Sequence, residues 1–198
     1  MTDFFYLILL AYLLGSIPFG LVVSRVLGGP DPRKLGSGNP GTANIYRALG
    51  LKAAACTLAG DALKGAAPVL WASQRLGALG NWQESAVAAV GAAAVLGHVF
   101  PLYLRFRGGK GVATTLGVVA ALAPWAALNL VLVYILALAY TRVFSFSALI
   151  CAWLLPLAMG LFADSKAYLL LAGGLSGLVL ACHRENLERL FKGEEPRI

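Results

Sequence analysis

Apolar stretches separated by short charged segments run along almost the whole chain, and this pattern restricts the fold more than any other feature. A helix that crosses a bilayer needs about 20 mainly apolar residues. Because the hydrocarbon core offers no hydrogen-bond partners, every backbone N–H and C=O of such a segment must be paired internally, which favours helices. Hydrophobic residues make up 59% of the 198 residues and charged residues only 13%, unlike a soluble domain, which carries about 25% charged residues. We therefore predict an all-α integral membrane protein that forms a single domain over residues 1–198.

The apolar pattern predicts seven transmembrane helices. They are Phe4–Leu27, Leu51–Leu76, Ser85–Leu104, Val112–Ala123, Pro124–Tyr140, Phe144–Phe162 and Ala167–Cys182. The fourth and fifth stretches together are too long for one ordinary span, and Pro124 lies where a turn would separate them.

The positions of the cations favour this division, because cytoplasmic loops are enriched in lysine and arginine. With seven spans and the N-terminus outside, all 16 lysine and arginine residues except Lys64, Arg75 and Lys166 lie on the cytoplasmic side. Fusing the fourth and fifth spans would move Arg142 and the C-terminal cations outside. We therefore predict an outside N-terminus and a cytoplasmic C-terminus.

The net charge of +7 is spread over short clusters between the apolar stretches. This distribution is typical of membrane topology and of binding to lipid or to anionic ligands, so we expect no nucleic-acid partner. The three cysteines lie in apolar stretches, and the two histidines are far apart without a carboxylate cluster. We therefore expect neither a disulfide framework nor a metal site.

The first polar cluster is a glycine-rich turn followed by an arginine. Its candidate residues are Gly36, Ser37, Gly38, Asn39, Gly41, Asn44 and Arg47. The backbone N–H groups of such a turn can converge on an anion, and the N-terminal end of the next helix would add to this attraction. The turn formally matches GxGxxG, but no strand precedes it, so we reject a dinucleotide site. A flexible interhelical loop would explain the glycines but not the polar residues and Arg47.

The second polar cluster surrounds a lysine between glycines. Its candidate residues are His98, Gly108, Gly109, Lys110, Gly111 and Thr114. The cluster is not a Walker A motif, because position 104 is leucine and position 111 is glycine. A lysine at a helix start still suits a phosphate. A cationic anchor at the membrane surface would explain the charges but not the glycines.

The third polar cluster ends the last span and contains His183, Arg184 and Asn186. His183 can act as a general base or as a hydrogen-bonding ligand near neutral pH. A solvated amphipathic tail would account for residues 188–198 but less well for His183 and Asn186. The predicted topology places all three polar clusters on the cytoplasmic side, which points to one active site.

Asp61 and Lys64 lie inside the second predicted span, three residues apart. Charges within a membrane are costly and therefore indicate function by default. At this spacing the two side chains can pair with each other. A structural ion pair and a supporting role in the active site remain equally open.

The three polar clusters together resemble the bacterial acyl-phosphate:glycerol-3-phosphate acyltransferase family, the PlsY type. The resemblance rests on GSGNPG with Asn44, on GHxFP followed by GGKGVAT, and on HRxNL, and it extends over essentially the whole chain. One departure concerns Gly41-Thr42-Ala43-Asn44, where the family usually has GATN, so that the threonine has moved one place and Asn44 keeps its position.

The resemblance implies a seven-helix enzyme in the bacterial inner membrane with its active site at the cytoplasmic face. It implies transfer of an acyl group from acyl phosphate to glycerol 3-phosphate, giving 1-acylglycerol 3-phosphate and inorganic phosphate, the first step of phospholipid synthesis. No cofactor is implied, and we expect a monomer. A membrane transporter of phosphorylated metabolites is the alternative, although the chain lacks the internal repeat that many transporters show.

Combined with this resemblance, the residue chemistry predicts a role for each of these residues. Ser37, Asn39, Asn44 and the loop N–H groups would bind one phosphate, and Arg47 and Lys110 the other. His183 and Asn186 would orient the acceptor. The proton of the attacking hydroxyl would pass either to His183 or, as we favour, to the phosphate of the donor. Asp61, Lys64 and Arg184 would support the site.

Overall fold

The structure, a computed structural model, describes residues 2–198, apart from the side chains of residues 78, 79 and 81. All the regular secondary structure in this part of the chain is helical. The chain forms two compact units, Met1–Ala121 and Leu122–Ile198. The all-helical prediction is confirmed.

The first unit contains five α-helices. They are α1 (Thr2–Gly15), α2 (Phe19–Val26), α3 (Thr42–Arg75), α4 (Gln83–Val99) and α5 (Val112–Leu122), whose last residue opens the second unit. α1 packs against α3 and α4, and α3 packs against α2 and α4. Three short 3-10 turns, Pro32–Lys34, Gly77–Trp82 and Leu102–Leu104, lie in the connections.

The first predicted span, Phe4–Leu27, corresponds to two helices. It is divided into α1 and α2, which meet at a bend of 46°. Pro18 at the break has no N–H to donate, and it disfavours helical geometry for Ile17. The break leaves the carbonyl oxygen of Ile17 outside any helix, where it accepts a hydrogen bond from Lys64 at 2.6 Å.

The second predicted span is part of a longer helix. α3 begins at Thr42, within the first polar cluster, and includes a kink at Gly50, whose φ is +81° and ψ −175°. Only glycine adopts this backbone geometry without strain. The first two turns of α3 thus run in a different direction from the long segment that carries Asp61 and Lys64.

Small residues bring the helices of the first unit into backbone contact. A methyl group at Gly15 would collide with the carbonyl oxygen of Ala94, and one at Gly97 with that of Tyr12, so α1 and α4 cross closely. A methyl group at Gly117 on α5 would collide with the carbonyl oxygen of Ala62 on α3. Such close crossings are typical of helix packing in membranes.

The second unit contains the remaining four α-helices of the described chain. They are α6 (Pro124–Thr141), α7 (Phe144–Phe162), α8 (Lys166–Cys182) and α9 (Arg184–Phe191). α7 packs against both α6 and α8. Pro124 is the first residue of α6, as expected from the predicted turn at this position. α8 and α9 meet at a bend of 58°, immediately beside His183.

Among the described residues, three segments are long and apolar enough to cross a membrane: Gln83–Leu104, α6 and α7. The number rises to five if the bent pairs α1–α2 and α8–α9 each count as one span. α5 has only 11 residues, about 16 Å at 1.5 Å per residue, which is about half the hydrocarbon thickness. α3 carries two buried charges along its length. The count of seven spans therefore stays a prediction.

Gly117→Leu tests the close crossing of α3 and α5. The added side chain would be forced against the backbone of α3, and overpacking of this kind costs about 1–3 kcal/mol or more. We expect the midpoint of thermal unfolding in detergent to fall by roughly 2–12 °C. Gly173→Leu on α8 is the control, because a methyl group there meets nothing within 4 Å. Equal midpoints for the two variants would contradict the proposed packing.

Candidate functional site

Asn44 organises the first polar cluster from the first turn of α3. Its amide nitrogen donates to the carbonyl oxygens of Pro32 at 2.8 Å and Leu35 at 3.1 Å, and its oxygen accepts from the N–H of Ser37 at 3.2 Å. A side chain at Gly36 would meet the same amide oxygen, and the φ of +52° at this position also favours glycine. Both amide protons of Asn44 are thus bonded to backbone. The structure gives Asn44 the role of shaping the loop and leaves it no proton for a phosphate.

The turn also uses several of its own N–H groups. Gly38 donates to the carbonyl oxygen of Leu35 at 2.9 Å, and Gly41 donates to the side-chain oxygen of Asn39 at 2.8 Å. These groups, and the N–H of Ser37, were expected to face an anion, but in this conformation they stabilise the turn. What remains at this position is the N-terminal end of α3, with the exposed side chains of Ser37 and Arg47 beside it.

The second polar cluster wraps around the C-terminal end of α4. Gly108 and Gly109 donate their N–H groups to the carbonyl oxygens of Val99 and His98, each at 3.1 Å. The Cα of Gly109 lies against the imidazole ring of His98, and any side chain at position 109 would overlap that ring. Two glycines in succession are therefore required for the chain to pass this point.

Lys110 and Gly111 connect this loop to α5. Gly111 has a φ of +84°, and α5 begins at the next residue. Lys110 is half-buried, and Thr114 is fully buried one turn into the helix. The lysine is therefore held next to the N-terminal end of a helix, where the backbone adds partial positive charge.

A buried cluster of Asp61, Lys64 and His98 lies beneath these loops. The Lys64 ammonium lies 2.8 Å from the Asp61 carboxylate, and both side chains are almost completely buried. The Nδ1 atom of His98 lies 3.6 Å from the same carboxylate oxygen. The predicted i,i+3 pairing is confirmed. Because the pair also contacts Ile17 and His98, it connects α3 to α4 and to the break between α1 and α2.

A small cavity brings the first two polar clusters together within the first unit. Its lining includes Pro40 from the first cluster, Gly108 and Gly109 from the second, and the Asp61–Lys64 pair. The two loops are far apart in the sequence. The cavity shows that the two loops approach each other, but the side chains of Ser37, Arg47 and Lys110 do not line it.

The third polar cluster is built around the break between α8 and α9 in the second unit. His183 is 3% exposed, and its Nδ1 atom lies 2.8 Å from the carbonyl oxygen of Val179. A carbonyl can only accept, so Nδ1 carries the proton and the neutral ring has its lone pair on Nε2. Asn186 is buried one turn further on, whereas Arg184 is exposed. His183 and Asn186 are thus fixed groups, and Arg184 is a surface cation.

Glu195 is the residue that the sequence analysis missed. The tail was expected to be solvated, but the side chain of Glu195 is 5% exposed and its carboxylate is bonded to Arg189 at 2.7 Å. Ser145 and Asn186 donate to its other oxygen. No local pattern distinguishes this glutamate from Glu194 beside it. The only signal is Gly193, a typical residue for ending a helix and reversing the chain.

Fold and sequence together define an all-helical integral membrane protein whose loops carry glycines, cations and buried polar groups. The family model described as glycerol-3-phosphate acyltransferase matches residues 5–193. The chain belongs to the glycerol-3-phosphate acyltransferase family.

Individual relatives agree with this assignment. A glycerol-3-phosphate acyltransferase of Thioalkalivibrio sulfidiphilus is 46% identical, over 97% of this chain and 92% of the relative. The chain is also similar to the crystal structure of PlsY (YgiH), an integral membrane glycerol 3-phosphate acyltransferase, in its glycerol 3-phosphate form. The TM-score is 0.91 and the sequence identity is 38%, over 99% of this chain and 96% of that one. Its lysophosphatidic acid form is similar with a TM-score of 0.90 and 38% identity, over 99% and 95%.

Asp61→Asn tests the importance of the buried pair. Removing one partner of a buried ion pair costs about 3–5 kcal/mol, because the remaining charge is left uncompensated. We expect the midpoint of thermal unfolding in detergent to fall by roughly 10 °C. Asp31→Asn is the matched control. Hydrogen bonds from Arg33 lower the pKa of Asp31 to about 2, but this pair is partly exposed and contributes little to stability. A small shift for both variants would show that the buried pair is dispensable.

Proposed function

We propose that this protein transfers an acyl group from acyl phosphate to the 1-hydroxyl of glycerol 3-phosphate. The products are 1-acylglycerol 3-phosphate and inorganic phosphate. The observation that carries the proposal is the likeness, over almost the full chain, to a solved acyltransferase with glycerol 3-phosphate and lysophosphatidic acid forms. Membership of the family supports the acceptor and the reaction type.

The chemistry of the site supports an acyl phosphate as the donor. The hydroxyl oxygen attacks the acyl carbonyl carbon, a new ester bond forms, and the bond between that carbon and the phosphate oxygen breaks. Phosphate is a good leaving group, so the donor is already activated. Both substrates carry phosphate, and a site with two cationic loops at helix N-termini suits such a pair.

We assign the cationic groups to the phosphates and to the reacting carbonyl. Lys110, beside the start of α5, binds a phosphate and stabilises the negative charge that develops on the carbonyl oxygen. Arg47, on the second turn of α3, supplies a charge-assisted contact to phosphate, together with the Ser37 hydroxyl and the N-terminal end of that helix. The buried Asp61–Lys64–His98 cluster maintains the shape of the loop that holds Lys110.

His183 and Asn186 orient the acceptor. The contact between Nδ1 of His183 and the Val179 carbonyl oxygen, at 2.8 Å, holds the imidazole ring in one orientation. The departing phosphate takes the proton. Positioning and electrostatic stabilisation then provide the main rate enhancement, rather than a strong base.

Seven spans, an outside N-terminus and a cytoplasmic active site in the bacterial inner membrane complete the proposal. The cation distribution supports this orientation. In this arrangement the bent pairs α1–α2 and α8–α9 each correspond to one span. The short helix α5 is the fourth span. Because it is shorter than the hydrocarbon core, the membrane must be thinned locally or polar groups must cover the ends of the helix. We propose that the protein acts as a monomer.

Release of inorganic phosphate by purified protein in lipid, with acyl phosphate and glycerol 3-phosphate, tests the reaction. We expect release that requires both substrates and falls at least a hundredfold in Lys110→Ala, because an electrostatic contact to the developing oxyanion is lost. Lys192→Ala, which removes an exposed cation at the end of α9, should retain wild-type activity. If folded wild-type protein releases no phosphate, the proposal fails and transport of phosphorylated solutes into liposomes should be measured instead.

His183→Gln distinguishes a general base from an orienting ligand. If the donor phosphate takes the proton, glutamine preserves hydrogen bonding and kcat should stay within about tenfold of wild type. General-base catalysis is typically worth about 100-fold to 10,000-fold. A fall in kcat beyond about a hundredfold, with an unchanged unfolding midpoint, would identify His183 as the base.

A further inference from the structure

The loop that follows α4 has a fixed backbone. We call its first part, residues 100–107, the arginine loop. The carbonyl oxygen of Phe100 accepts a hydrogen bond from the hydroxyl of Tyr12 on α1 at 2.8 Å. The N–H of Phe106 donates to the carbonyl oxygen of Pro101 at 2.9 Å, which closes the loop on itself. The side chains of the arginine loop are therefore presented from a rigid base.

Two successive residues of the arginine loop have strained backbone geometry. Arg105 has a φ of +52° and a ψ of +44°, and Phe106 has a φ of +63°. In this left-handed region the Cβ atom comes too close to the following carbonyl oxygen, and glycine avoids the conflict. Strain at residues that nevertheless carry large side chains indicates that those side chains have a use.

The side chains of the arginine loop are not explained by packing within the protein. Phe106 is 58% exposed, and Tyr103, Arg105 and Arg107 are exposed as well. Within the part of the chain that the structure describes, neither arginine side chain has a hydrogen bond or an ion pair. None of residues 85–163 is Asp or Glu. An anionic partner outside this chain would account for both arginines.

The position of the arginine loop identifies the kind of partner. The segment Gln83–Leu104 is long and apolar enough to cross a membrane, so Arg105 lies where this span leaves the hydrocarbon core. Tyrosine is enriched at this depth, and phenylalanine enters the boundary between headgroups and acyl chains. Arginine binds phosphate through two parallel N–H donors. A phospholipid offers an apolar chain and an anionic phosphate together at this level of the membrane.

We propose that the arginine loop is a binding site for an anionic membrane phospholipid. Arg105 and Arg107 bind the headgroup phosphate, and the ring of Phe106 lies among the first methylene groups of the acyl chains. A lipid with net negative charge is favoured over a zwitterionic one, because two unpaired guanidinium groups leave an excess of positive charge at the membrane surface. The inference does not depend on the proposed acyl transfer.

Binding of two lipids with identical acyl chains, phosphatidylglycerol and phosphatidylcholine, tests the inference. Native mass spectrometry of the full-length protein in detergent measures both affinities. We expect wild type to bind phosphatidylglycerol roughly tenfold more tightly, and Arg105→Gln combined with Arg107→Gln to lose about this factor. Arg25→Gln combined with Lys52→Gln is the matched control, because it removes two exposed cations elsewhere in the first unit and should bind both lipids as wild type does.

Three results would overturn the inference. Wild type could bind the two lipids equally well, in which case the loop does not recognise the headgroup charge. The control could lose as much affinity as the double arginine variant, which would indicate a general attraction to positive charge. The double arginine variant could keep its affinity for phosphatidylglycerol but show a higher KM for acyl phosphate, which would assign the loop to the substrate instead of a membrane lipid.

Phe106→Gly covers the case in which the double arginine variant is unstable. The change removes the exposed ring and relieves the strained φ at this position. We expect the midpoint of thermal unfolding in detergent, without added lipid, to equal or exceed that of wild type. The affinity for both lipids should fall by about threefold or more, because apolar contact with the acyl chains is lost. A lower midpoint with unchanged lipid affinity would show that the ring serves packing, and would contradict the proposed site.

Discussion

The buried ion pair of Asp61 and Lys64 is the interaction on which the first unit depends. Two charges in an apolar helix bundle are stable only when each meets a partner. Lys64 has two partners, Asp61 and the carbonyl oxygen of Ile17 released by the break at Pro18. Asp61 also faces His98, whose ring supports Gly109 and hence the loop with Lys110. One pair therefore links a broken helix, a long helix and the loop that carries Lys110.

Glycine has two separate roles in this protein. Within the helices, Gly15 and Gly117 allow backbones to approach each other, which replaces the hydrophobic effect as a packing force in lipid. In the loops, Gly36 and Gly109 lie against Asn44 and His98, so the loop backbone follows the shape of a buried side chain. A glycine-rich turn in a membrane protein is therefore a sign of close contact as much as of anion binding.

The sequence predicted the helices well and the contacts of the loops less well. Length and hydropathy located α6 and α7 to within a residue, because lipid requires nearly uniform apolar helices. The Asp61–Lys64 pair was predictable because it is local, at i,i+3. Asn44 was misjudged, because its partners lie up to 12 residues away in an irregular loop. The partners of Glu195 lie up to 50 residues away, and nothing in the local pattern of a charged tail indicates such a contact.

The two units carry different kinds of polar group. The first provides cations and helix N-termini, which attract phosphate but do not distinguish one hydroxyl from another. The second provides neutral groups, His183 and Asn186, whose hydrogen-bonding direction is set by a carbonyl oxygen and by a carboxylate. A neutral amide or imidazole recognises a hydroxyl only if its donor and acceptor ends are fixed.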